Sequence, residues 1–66
     1  MKKRDLLKEM RKIARENQAT FDYAVGGKHD KFRVNGMSIP VPRHTEIREP
    51  TARAILHMCR TYAKRN

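Results

Sequence analysis

Two short stretches hold the side chains best suited to chemistry. In Gly26-Gly27-Lys28-His29-Asp30-Lys31-Phe32-Arg33 a histidine follows a diglycine and stands among cations. In Pro42-Arg43-His44-Thr45 a second histidine stands beside an arginine. A neutral imidazole can take a proton from a hydroxyl, and nearby ammonium or guanidinium groups stabilise negative charge building on a phosphate. Such a set suits RNA cleavage without a metal, because the ribose 2′-OH is itself the nucleophile and the protein need supply only a base and cations. Plainer roles fit the same residues. His29 can be a loop histidine that touches phosphate, and His44 a second acid or base, a phosphate contact, or a residue that fixes its loop. His57 lies in a helical stretch near its polar side and has no evident role. Three scattered histidines and Cys59 show no zinc-ligand spacing, so no metal and no cofactor is expected.

The scaffold that must position these groups is small. Sixty-six residues with 38% hydrophobic side chains support one core and exclude a second domain, a roomy cofactor cavity, and a Rossmann or barrel fold. Sixteen Lys plus Arg against seven Asp plus Glu give a net charge of +9, which attracts polyanions. No apolar run approaches the ~20 residues of a membrane span, and nothing after Met1 resembles a signal peptide. The single cysteine excludes an internal disulfide. A soluble, intracellular, single-domain protein over residues 1–66 is expected.

The hydrophobic period changes twice along the chain. Over residues 5–16, Leu6, Leu7, Met10, Ile13 and Ala14 recur at helical spacing, with Asp5 as the expected cap. Arg4, Lys8, Arg11, Lys12 and Arg15 fall on the opposite face, either as a solvated stripe or as a surface for phosphate or an acidic partner. After a polar break the period becomes two. Phe21, Tyr23 and Val25 alternate in one strand, Phe32 and Val34 in a second, and Met37, Ile39 and Val41 in a third. Asn35-Gly36 is a strong hairpin signal because both residues tolerate positive φ. Pro40 and Pro42 suit a short or edge strand. From about 50 to 63, Ala52, Ile55, Cys59 and Tyr62 form an apolar stripe opened by Pro50, followed by a charged tail, Lys64-Arg65-Asn66. The expected class is therefore α+β in the order α-β-β-β-α. A three-stranded antiparallel sheet would carry both helices on one face and leave the other open. If the second strand begins near residue 29, His29, Lys31 and Arg33 share parity and project together from the open face.

Gly26-Gly27-Lys28-His29-Asp30-Lys31-Phe32, followed by Ile39-Pro40-Val41-Pro42-Arg43-His44-Thr45-Glu46-Ile47, resembles the HicA family of bacterial toxins. The resemblance runs from about Arg4 to Arg60 and includes the opening Asp5-Leu6-Leu7-Lys8 and the helical pair Thr51-Ala52. It implies a fold like that of a double-stranded RNA-binding domain and the activity of an mRNA interferase from a type II toxin–antitoxin system. It further implies a cytoplasmic protein, bacterial or phage-encoded, an mRNA substrate, and a HicB-type antitoxin as protein partner. The family's catalytic histidine carries over to His29. The chain departs from the family pattern at Lys28, where serine or asparagine is common, and at Arg48-Glu49-Pro50, where a better helix cap is often found. Lys28, Lys31, Arg33, Arg43 and His44 are the candidate RNA contacts.

Two other functions share this composition. A non-catalytic double-stranded RNA-binding module has the same element order, but its Gly…His…Phe signal typically has three residues between His and Phe, against two here. It also opens its last helix with a lysine-rich segment, where this chain has Glu49-Pro50-Thr51-Ala52-Arg53. A protein-interaction subunit without catalysis would use its charge only to hold an acidic partner.

Overall fold

In the computed structural model, which describes residues 1–24 and 27–64, the first helical period becomes α1, Lys3–Glu16. It buries Leu6, Met10, Ile13 and Ala14, as the spacing predicts, and leaves Arg4, Lys8, Arg11, Lys12 and Arg15 exposed. The helix starts two residues earlier than expected, and Asp5 lies in its first turn instead of capping it. The N-cap position is Lys2, which makes no side-chain cap bond. Tertiary contacts take over that role. The Lys3 N–H donates to the Thr45 carbonyl at 2.8 Å, the Ile47 N–H donates to the Met1 carbonyl at 2.7 Å, and Lys2 forms an isolated antiparallel bridge with Glu46. A free helix end needs such partners for its unpaired donors. At the other end the Asn17 amide donates to the Ile13 carbonyl, and Gln18 leaves the helix at φ +55°.

The alternating segments form β1 (Phe21–Ala24), β2 (Asp30–Val34) and β3 (Met37–Val41), antiparallel and in the order β1-β2-β3. The expected extension of the first strand to Val25, the Gly26 of the diglycine, and the Arg65-Asn66 tail lie outside the described residues. Register places Tyr23 opposite Phe32 and Phe32 opposite Ile39, so one face carries Phe21, Tyr23, Phe32, Val34, Ile39 and Val41. Lys31, Arg33, Ser38 and Pro40 are exposed on the other face. As an edge strand, β3 accommodates Pro40, which has no N–H to offer a ladder. At the β2–β3 turn Asn35 (φ +52°) and Gly36 (φ +81°) supply the two positive dihedrals of a tight hairpin. Asn35 also donates its amide to the Tyr62 carbonyl at 2.9 Å, tying the hairpin to the end of the second helix.

That helix, α2, spans Glu49–Ala63 with Pro50 in its first turn. It buries Ala52, Ile55, Cys59 and Ala63, while Tyr62 is only half-buried and Ala63 takes the inner position. The Cys59 thiol donates to the Met10 carbonyl at 3.6 Å, and burial pushes its pKa up, as befits a core residue. The buried residues of both helices and of the sheet form one cluster, so both helices cover the same sheet face. The second of them, α2, lies over β2 and β3, where Val34, Ile39 and Val41 are fully enclosed. The β1 rim is covered less: Tyr23 is 54% exposed, and the Arg11 guanidinium sits 5.8 Å from the Phe21 ring. Met1–Lys3 touch residues 45–47 just before α2, so both helices begin at one end of the molecule. None of the described helices is long and apolar enough to cross a membrane.

Candidate functional site

The end of the molecule where both helices begin is organised by Asp30. This residue opens β2 opposite Val41 and shares parity with Phe32 and Val34, so its carboxylate points toward the core side at the sheet's margin. Only 15% of its side chain is exposed. Lys3 Nζ donates to its Oδ2 at 2.5 Å, while Arg43 Nε (2.9 Å) and Tyr23 Oη (3.1 Å) donate to its Oδ1. The Lys3 ammonium and then the Arg43 guanidinium hold this carboxyl down at about 2, against 3.8 ordinarily. One carboxylate thus joins the start of α1, the end of β1 and the loop after β3, and it leaves a surplus of positive charge around itself. The motifs alone give Asp30 no role. Its signal lies in the period of two: the alternation that turns Lys31 outward turns Asp30 inward, where a carboxylate requires partners.

His29 precedes β2 in a bend and is exposed. The ladder begins at Asp30, one residue later than the shared parity requires, so strand geometry does not align His29 with Lys31 and Arg33. Instead, His29 borders a cavity of about 230 Å³ together with Pro42, His44, Glu46, Ile47, Arg48 and Thr51. Lys31 and Arg33 are exposed on the open sheet face and are not among the described residues that line it. Lys28 is exposed in the same bend as His29. His44 also borders a second, larger cavity of about 480 Å³, shared with Lys2, Lys3, Arg4, Leu7, Arg43 and Thr45. The structure therefore brings together His29, His44 and Arg43 from the two motifs. It adds the α1 N-terminus, where Arg4 belongs to the stripe read either as solvated or as a surface for phosphate or an acidic partner, and Lys2 and Lys3 carry no reading from the sequence.

Chemically, this end combines two imidazoles on one cavity with flanking cations and two helix N-termini, whose aligned peptide dipoles favour negative charge. An extended phosphate-bearing ligand is the kind of molecule such a surface attracts. Among the described residues, no group of three or more His, Cys, Asp or Glu is placed to hold a metal ion. No protein-family model, curated protein or solved structure matches this chain.

Proposed function

We propose that this chain is a metal-independent endoribonuclease acting on bacterial mRNA, the toxin of a type II toxin–antitoxin pair restrained by a HicB-type antitoxin. The observation that carries the reading is the meeting of His29 and His44 on one small cavity, at the end of the molecule where Arg43, Lys3 and both helix N-termini converge. In the proposed reaction His29 takes the proton of a ribose 2′-OH as that oxygen attacks the adjacent phosphorus. The P–O5′ bond breaks, and the departing 5′-oxygen takes up a proton, for which His44 is the proposed donor. The products are a 2′,3′-cyclic phosphate and a 5′-hydroxyl, with no water consumed and no cofactor needed. Lys28, Arg43 and His44 contact the phosphates, whereas Lys31 and Arg33 add to the general attraction for RNA from the far face of the sheet. General-base help of this kind is worth about 10²–10⁴ in rate.

Expression of the chain alone in bacteria is expected to arrest growth and shorten mRNA, and the purified protein to cut RNA in EDTA. His29→Ala should relieve the arrest and lower cleavage by at least about a hundredfold. The side chain is exposed, so the circular dichroism spectrum should not change. If His29→Ala stays fully toxic and cuts RNA in EDTA like the wild type, His29 is not the base. If the wild type binds duplex RNA tightly and never shortens mRNA, the chain is a binding module.

A further inference from the structure

We propose that the 480 Å³ groove between the α1 N-terminus and the loop after β3 is a second nucleotide subsite. It would take the phosphate and sugar of the RNA residue next to the one at His29. The inference rests on the reading of His29 as the place where an RNA phosphate sits. His44 borders both cavities, so a strand leaving the His29 cavity over His44 enters this groove directly. The strand's path then follows the loop 42–48 around the end of the molecule, and the open sheet face with Lys31 and Arg33 is not its track.

The lining suits one nucleotide of a chain. Four cations border the groove (Lys2, Lys3, Arg4 and Arg43), and no carboxylate is among its described lining residues. The cations fall into two kinds. Lys3 and Arg43 are held by Asp30 at 2.5 and 2.9 Å and form a fixed positive wall. Among the described residues, the Lys2 and Arg4 side chains make long, exposed pairs, to Glu46 at 3.7 Å and Asp5 at 4.0 Å. Such pairs contribute little, so they are easily given up for a phosphate, which accepts stronger charge-assisted bonds. Leu7 adds an apolar patch against which a ribose can rest, and the His44 ring offers a stacking surface between the two sites. The volume lies within the roughly 300–1,000 Å³ range of small-ligand sites.

The test measures polarisation of a fluorescent single-stranded RNA, 2′-O-methylated throughout so that it cannot be cut. Arg4→Glu should weaken binding about tenfold and lower the slope of log Kd against log salt by about 0.7 for each phosphate the variant no longer grips. Lys2→Ala should act in the same direction. The double change Lys31→Glu, Arg33→Glu should cost less than about threefold, because it alters only long-range attraction. Arg4 is 84% exposed in its side chain, so its variant is expected to fold. The assignment is overturned if the sheet-face variant loses the tenfold and Arg4→Glu and Lys2→Ala do not. It is also overturned if 5′-AMP displaces the RNA at comparable concentration, which would make the groove a site for free nucleotides. Failure of the wild type to bind this RNA overturns the groove, while cleavage of unmodified RNA in EDTA decides the nuclease separately. Binding that depends on Arg4, in a protein that never cuts unmodified RNA in EDTA, upholds the groove and removes the nuclease.

Discussion

Ile47 joins the candidate site to the core, and its truncation measures how firmly the site is held. The side chain is 1% exposed, its backbone N–H donates to the Met1 carbonyl, and it borders the cavity of His29 and His44. Ile47→Ala removes three carbons, worth about 0.8 kcal/mol each in transfer alone, and the cavity left behind raises the expected loss to about 3–4 kcal/mol. A domain of 66 residues has a total stability of only about 3–10 kcal/mol. The variant should therefore melt about 12–32 °C below the wild type, at 4–8 °C per kcal/mol for a chain of this size. Urea and thermal unfolding followed by circular dichroism provide the assay. Ile47→Val, expected to lose about 0.5–1.5 kcal/mol, supplies an intermediate that remains folded. A loss below about 1 kcal/mol for Ile47→Ala would refute the reasoning, because the loop would then be shown not to depend on its plug in the core.

Two further perturbations test the polar ties. Asp30 is held near 2 when folded, against 3.8 ordinarily, so the stability it contributes is present above about pH 4–5 and is lost as pH falls toward 2. The wild-type melting temperature should drop through that window, while Asp30→Asn, already less stable at neutral pH, should drop less; parallel curves would show that the ion pairs do not matter. Asn35→Gly keeps the positive φ of the hairpin but removes the amide that donates to the Tyr62 carbonyl and the oxygen that accepts the Thr20 N–H, and should cost about 1–2 kcal/mol in urea unfolding. A variant as stable as the wild type would leave that tie without energetic content.

Much of the scaffold is legible in the sequence because each element carries its own period. Leu6, Met10 and Ile13 announce a helix, Phe32 and Val34 with Ile39 and Val41 announce strands, and Asn35-Gly36 marks the turn between them; the structure has all of these. The chemistry of the site is less legible, since it depends on where elements end. A one-residue difference in the start of β2 separates His29 from the face that holds Lys31 and Arg33. The early start of α1 depends on Thr45 and Ile47, more than forty residues away, and no local capping rule reports such a partner. Tyr23 has the face its alternation predicts but not the burial, because α2 lies over β2 and β3 and the β1 rim is left open. Asp30 is readable from parity alone, yet the histidine and cations around it carry the more conspicuous chemistry.

The contacts between residues 1–3 and 45–47 also impose an order in time. During synthesis α1 is made before its partners, and its leading turn has none until Thr45 and Ile47 follow. Asp30 cannot hold both its cations until Arg43 follows, and the His29 cavity lacks a wall until Thr51 is in place. A nascent chain that stops short of the second helix therefore carries most of the positive charge without the surface that would direct it. The histidines of both motifs are made before the helix that completes their cavity.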